Sequence, residues 1–178
     1  MNTRSPAADL DRLWAGWRTQ YVNEAANNPS QHKDDCVFCA ILDSGLPDSE
    51  TFVLWRGTQA FALMNAYPYT SGHLMVMPIR HVPDLEELNA DEASELWRGV
   101  TDAVVALKAA YRPDGINLGA NLGRSAGAGV PGHVHVHVLP RWAGDTNFMT
   151  SVASARVLPE ALPATWEKVH KAWASVRA

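Results

Sequence analysis

The sequence is short of the features that mark several large classes of protein. Its 178 residues include only two cysteines, Cys36 and Cys39, three positions apart. A secreted disulfide framework needs more, so a reducing cytoplasm is the expected setting. Long hydrophobic runs are missing too. Asp, Glu, Lys or Arg interrupts every candidate membrane span, and the opening MNTRSPAADL has no apolar signal-peptide core. No membrane association is expected. Nor is there an excess of positive charge: 15 Lys and Arg stand against 19 Asp and Glu, a formal net charge of −4. No global basic field therefore draws nucleic acid, and a phosphate-bearing ligand must be held by a local site. Internal repeats and low-complexity tracts are absent from the sequence.

What is present is globular composition, 47% hydrophobic and 19% charged, on a length suited to one domain with a sizeable core. Leu10, Leu13, Trp14, Trp17 and Tyr21 recur at helical spacing, and the polar residues 24–35 read as a linker. Three strand-like runs follow: TFVLW, QAFALMN and HLMVMP, separated by Gly57 and by YPYTSG. Residues 89–112 read as the strongest helix. Asn89 and Glu92 suit a capping box, Ala93, Leu96, Trp97, Val100, Val104, Leu107 and Tyr111 form its apolar stripe, and Pro113 and Gly115 end it. INLGANL and HVHVHVL complete the strands, and Leu162, Trp166, Val169, Trp173 and Val176 outline a C-terminal helix. Strands in runs broken by one long helix favour an α+β fold with an antiparallel sheet. The expected division is an N-terminal helix and linker over 1–35, a central domain over 36–150 and a helical extension over 151–178.

The segment GHVHVHVLPRW, residues 132–142, raises the functional question. Side chains alternate along a strand, so His133, His135 and His137 share one face and Val134, Val136 and Val138 the other. Valines explain themselves as core. Three adjacent imidazoles suit either a three-histidine metal site or nucleophilic catalysis, with one ring attacking while a neighbour fixes its tautomer or handles a proton. Just upstream, GANLGRSAGAGVPG brings Gly119, Gly123, Gly127, Gly129 and Gly132 close to the histidines, and the amides of the loop from Gly123 to Gly132 could converge on an anion, with Arg124 adding charge. Its spacing fits neither a Walker loop nor a dinucleotide fingerprint.

HVHVHVL resembles the signature of the histidine triad (HIT) family, and NAYPYTSGHLMVMPIRHV resembles that family's earlier Gly-His strand. The similarity covers roughly residues 36–148. RLWAGWRTQYV near the start and NLGRSAGAG with PRWAGDTNFM near the end look like the bacterial subgroup that includes diadenosine tetraphosphate phosphorylases. The resemblance implies that His135 attacks the α-phosphorus of a nucleoside polyphosphate and forms a nucleotidyl-histidine intermediate. It also implies that His137 contacts the phosphate and that His73 orients the His135 ring. Asn65 matches a ribose-contacting position and Asn121 a position lining the phosphate site, with Gly123, Arg124, Gly127 and Gly129 completing the expected nucleotide-binding set. Many relatives carry Gln, Ser or Thr where this chain has Gly129 and Val130. The phosphoramidase branch usually has Ser at the Val130 position, which favours another branch here.

Two cysteines alone cannot complete a tetrahedral zinc site, and the thioredoxin context of a redox pair is missing. In zinc-containing HIT proteins the other two ligands match His81 and His133, so the resemblance implies a structural Cys36–Cys39–His81–His133 zinc site, with His32 a competing ligand. It further implies a dinucleoside polyphosphate substrate cleaved by phosphorolysis or hydrolysis, AMP as a product-like ligand, and a homodimer paired through the long helix and an edge strand. Two other readings stand beside it: a zinc hydrolase using all three triad histidines, and a nucleotide-binding protein with little turnover.

Overall fold

The computed structural model of the protein describes residues 33–145 and 159–176. The helix expected at Leu10–Tyr21, His32 and residues 146–158 lie outside them. In chain order the elements are α1 (Val37–Asp43), α2 (Asp48–Thr51), β1 (Val53–Arg56), β2 (Ala60–Met64), β3 (Leu74–Pro78), α3 (Ala90–Tyr111), β4 (Gly115–Ala120), β5 (Val136–Arg141) and α4 (Leu162–Val176). The strands form one sheet in the order β1-β2-β3-β5-β4, with every neighbouring pair antiparallel. The architecture is α+β, as strand runs broken by one long helix led us to expect.

β2 and β3 are buried along their whole length because both faces of the sheet are covered. Ala62, Met64, Leu74 and Val76 turn toward α3 and α4 and pack with Leu96, Val100, Leu107, Val169 and Trp173. Phe61, Leu63, Met75 and Met77 turn the other way, against Cys36, Phe38 and Cys39. This explains the near-continuous apolar runs FALM and LMVM, which a sheet wetted on one face would interrupt. Burying side chains of this size contributes roughly 1.5–3 kcal/mol each.

α3 starts where its cap was expected. Asn89 accepts hydrogen bonds from the amides of Asp91 and Glu92, and the Glu92 carboxylate accepts from the Asn89 amide. Two positions depart from the sequence reading. Trp97 lies on the outer face, 51% exposed, because Leu96 takes the inward place. The helix ends at Tyr111 through Arg112, which adopts a left-handed conformation (φ 48°) and donates its amide to Lys108. Glycine is demanded at Gly99, where a Cβ would stand 2.9 Å from both Trp55 and Val76, allowing α3 to approach the sheet closely. α4 docks on α3 and on β1 at the sheet edge: Trp173 stacks on Trp55 at 6.1 Å, and the Trp166 indole donates to the Val53 carbonyl at 2.8 Å. No helix among the described residues is long and apolar enough to cross a membrane.

Candidate active site and metal centre

The triad does not run as one continuous strand. β5 begins only at Val136, and the stretch before it is held instead by the loop after β3, with the Val134 amide donating to the Val82 carbonyl at 2.7 Å. The His133 ring points toward the cysteines. His135 and His137 remain neighbours, ring centroids 4.9 Å apart. His137 pairs in register with Met75 and so lies on the face opposite the helices. All three triad histidines and His73 are buried.

Their hydrogen-bond partners settle the tautomers, since a carbonyl only accepts and an amide only donates. His135 Nδ1 lies 2.8 Å from the His133 carbonyl oxygen. It must therefore carry the proton, which leaves the lone pair on Nε2. The Tyr69 amide donates to His73 Nδ1 at 3.1 Å, so neutral His73 is protonated on Nε2 and donates to His137 Nδ1, 2.9 Å away. His137 in turn keeps its own proton on Nε2. A lone pair on His135 Nε2 thus stands beside an N–H on the neighbouring ring. Burial lowers the pKa of His135 and, with His135 nearby, pushes His137 down to about 4, so both rings are neutral at pH 7.

His73 contacts His137, and His135 takes its hydrogen bond from the backbone carbonyl of His133. Gly72 places His73. Its φ is +84°, and a Cβ there would come within 3.0 Å of Pro140 and Tyr111. Tyr69 was not anticipated, because its contribution is a backbone amide together with a ring 4.6 Å from His73, and neither leaves a mark in the sequence. Asn65 follows β2 directly, with its Oδ1 accepting from the Tyr67 amide at 2.8 Å and its Nδ2 3.4 Å from His73 Nε2.

β4 pairs with β5 so that Gly119 faces His137, and the glycine loop leaves from that end of the sheet. Arg124 begins a short 3-10 turn between Gly123 and Gly127, both of positive φ. Within the loop, the Gly127 and Ala128 amides donate to the Arg124 and Gly123 carbonyls, and Asn121 Nδ2 donates to the Gly127 carbonyl at 3.4 Å. Both amides are engaged within the turn. Gly129 is exposed, and Val130 packs against the cluster containing Phe38.

Cys36, Cys39, His81 and His133 converge from the start of α1, the loop after β3 and the segment before β5, with one ligand atom from each within 4.8 Å of the others. His133 Nδ1 lies 3.4 Å from Cys36 Sγ and 3.7 Å from Cys39 Sγ, and His81 Nδ1 lies 3.6 Å from Cys39 Sγ. Ligand atoms around tetrahedral zinc stand about 3.6 Å apart, given Zn–S and Zn–N bonds of about 2.3 and 2.0 Å. His133 Nε2 donates to the Pro78 carbonyl at 2.8 Å, which turns the Nδ1 lone pair toward the sulfurs, as a ligating histidine requires. Burial pushes His133 down to about 4, the neutral ligand form, while burial and the neighbouring Cys36 push the Cys39 thiol up to about 12. Only a cation makes thiolates favourable there. The four residues can hold a metal ion. His135 and His137 stand outside that set, so the three-histidine metal site does not form among the described residues.

Known proteins share the fold and the sequence pattern of this chain. A family model described as HIT domain matches residues 47–144. AP-4-A phosphorylase of Mycobacterium tuberculosis is 40% identical over 167 residues, covering 93% of this chain and 85% of the relative. Bis(5'-adenosyl)-triphosphatase of Dictyostelium discoideum is 30% identical over 118 residues, covering 66% of this chain and 78% of the relative. Among solved structures, a hypothetical histidine triad nucleotide-binding protein from Sulfolobus tokodaii aligns with a TM-score of 0.65 at 28% identity, covering 80% of this chain and 94% of that one. With more than half its length matched by the family model and nearly all of it by a 40% identical relative, the chain belongs to the HIT domain family.

Proposed function

We propose that the protein is a nucleotidyl transferase that cleaves dinucleoside polyphosphates at the α-phosphorus, with His135 as nucleophile. The observation that carries this reading is the tautomer of His135: Nδ1 is committed to the His133 carbonyl, so the neutral ring offers its lone pair at Nε2. In the first step Nε2 attacks the α-phosphorus and the bond to the bridging oxygen breaks, giving a nucleotidyl-histidine and a departing nucleoside polyphosphate. In the second, an acceptor oxygen attacks the same phosphorus and restores the imidazole. Dividing one displacement into two is the usual advantage of a covalent route. His137, held by His73 with its proton on Nε2, donates to phosphate oxygens as charge builds on them.

Inorganic phosphate as acceptor converts diadenosine tetraphosphate to ADP and ATP, and water converts it to AMP and ATP. The 40% identical relative is named a phosphorylase, which favours phosphate; the relative named a triphosphatase keeps water as the second reading. Asn65, Asn121, Gly123, Arg124, Gly127 and Gly129 are our candidates for holding ribose and phosphates, with AMP as a product-like ligand. The donor chemistry of Cys36, Cys39, His81 and His133 suits zinc. When bound, it would cross-link the start of α1 to the triad segment, and no chemical step passes through it. Residues 36–150 form the proposed catalytic domain, with 151–178 as an extension docked through α4. Self-association through β4, at the sheet edge with Leu118 50% exposed, and the outer face of α3, with Trp97 and Val105 51% and 46% exposed, is the proposed assembly. The thiols suit a reducing cytoplasm.

Product analysis tests the function. The protein is incubated with diadenosine tetraphosphate, with and without inorganic phosphate, and the nucleotides are separated by chromatography. ADP with ATP, formed only when phosphate is present, is the expected result. AMP with ATP in both tubes would assign hydrolysis, and intact substrate in both would overturn the proposal.

A further inference from the structure

We propose that Phe38 is a positioning residue for His135, coupling the turn that bears Cys36 and Cys39 to the reactive imidazole. The inference deepens the function proposed above and rests on His135 being the nucleophile. Phe38 is buried, 5% exposed, on α1, whose N-cap is Cys36. Its ring packs on His135 with centroids 5.2 Å apart at 64°, and on His133 at 5.6 Å and 86°. One aromatic side chain therefore touches both a candidate metal ligand and the proposed nucleophile, and it stands in sequence between two further candidate ligands.

The need for such a contact follows from how His135 is held. Among the described residues its ring has one hydrogen bond, from Nδ1 to the His133 carbonyl. That bond sets which nitrogen carries the lone pair but leaves the tilt of the ring about the bond to packing. Ring contacts supply the rest: His137 at 4.9 Å and 79°, and Phe38. A hydrocarbon ring suits this place because it restrains the imidazole without donating to Nε2 or taking its lone pair. The restraint is itself anchored, since Cys36 and Cys39 flank Phe38 and lie 3.4 and 3.7 Å from His133 Nδ1. A shift of α1 would thus reach His135 by two routes, through the Phe38 ring and through the His133 backbone. Reaction geometry is unforgiving at this scale, where a misplacement of about 1 Å costs about 100-fold in rate.

A role in the core alone makes a different prediction. Phe38 also belongs to the cluster with Phe61, Met75 and Met77, and a residue that only fills this core would affect melting temperature while leaving turnover per folded molecule unchanged. Phe38→Leu and Phe38→Ala are compared with the wild type in the full chain, with bound zinc measured per chain. The expected result is kcat lower by about 10-fold for Leu and about 100-fold for Ala, with KM unchanged within about two-fold and zinc content preserved. The nitrogen NMR signals of the His135 ring, assigned by their loss in His135→Gln, change from those of a single ordered tautomer to averaged values. Higher KM at wild-type kcat would make Phe38 a substrate-contacting wall, and unchanged kcat with only a lower melting temperature would make it core; either overturns the proposal. If the Ala variant does not fold, the Leu variant decides by the same criterion. If the wild type itself shows no turnover, the function fails separately, and the ring signals still decide: His135 signals unaltered in Phe38→Leu would refute the positioning role.

Discussion

His73 Nε2 stands 2.9 Å from His137 Nδ1, and because the Tyr69 amide occupies the other nitrogen of His73, the proton in this contact belongs to His73. The pair forms a directional relay that begins at a backbone amide and ends with an N–H on His137 Nε2. His73→Ala removes the donor and leaves the His137 tautomer unset. We expect kcat to fall by about 100-fold, within the range for a misplaced proton-handling group, with a smaller change in KM. Steady-state kinetics on the folded variant check this, and wild-type kcat would show that His73 is only a buried core residue.

Cys36→Ser tests the metal centre. Removing one of two sulfurs within reach of His133 Nδ1 should lower zinc content well below one ion per chain and reduce the melting temperature by several degrees. Turnover per folded molecule should fall less than in His135→Ala. Metal analysis and a thermal melt provide the readouts. A metal-free variant as stable as the wild type would contradict a structural role for zinc.

Acid should destabilise the fold through the triad. Burial, then the neighbouring His135, lowers His137 from 6.5 to about 4, so the unfolded chain binds a proton at higher pH than the folded one does. Stability from this group is fully present above about pH 6.5 and is lost as pH falls toward 4, by roughly 2–3 kcal/mol. Denaturant midpoints measured between pH 7.5 and 4.5 should fall across that window, and His137→Gln should flatten the curve. An equally steep curve in the variant would assign the effect to other groups.

The C-terminal helix should be part of the cooperative fold. Trp173 is 2% exposed and stacks on Trp55, so Trp173→Ala should cost about 3–5 kcal/mol. Chemical denaturation measures the change. A loss under 1 kcal/mol would mean that α4 docks without contributing to the core.

Much of this was legible in the sequence, for identifiable reasons. The Asn89–Glu92 capping box and the Val169–Trp173 face are local patterns whose chemistry acts within a few residues. The four-residue metal centre was named through resemblance, because Cys36 and His133 lie 97 positions apart and no periodicity connects them. Other features depend on which atoms meet. HVHVHVL reads as an uninterrupted strand, yet the ladder begins only at Val136 and the Val134 amide pairs with the Val82 carbonyl instead. Phe38, between two cysteines, looks like ordinary core from its sequence, and only its ring contacts set it apart. Trp97 follows the helical period but sits one position from the buried line, where Leu96 is fully enclosed.

The central claim is a covalent bond between His135 and the substrate's nucleotidyl group, and the most direct measurement is the mass of the protein during turnover. The enzyme is mixed with diadenosine tetraphosphate without inorganic phosphate, quenched within milliseconds into alkali to preserve a phosphorus–nitrogen bond, and digested for peptide mass spectrometry. The account predicts one added nucleotidyl group on the peptide containing His135, absent in His135→Ala and discharged when phosphate is supplied. Product formation at the wild-type rate with no labelled peptide, or label on another histidine, would contradict it.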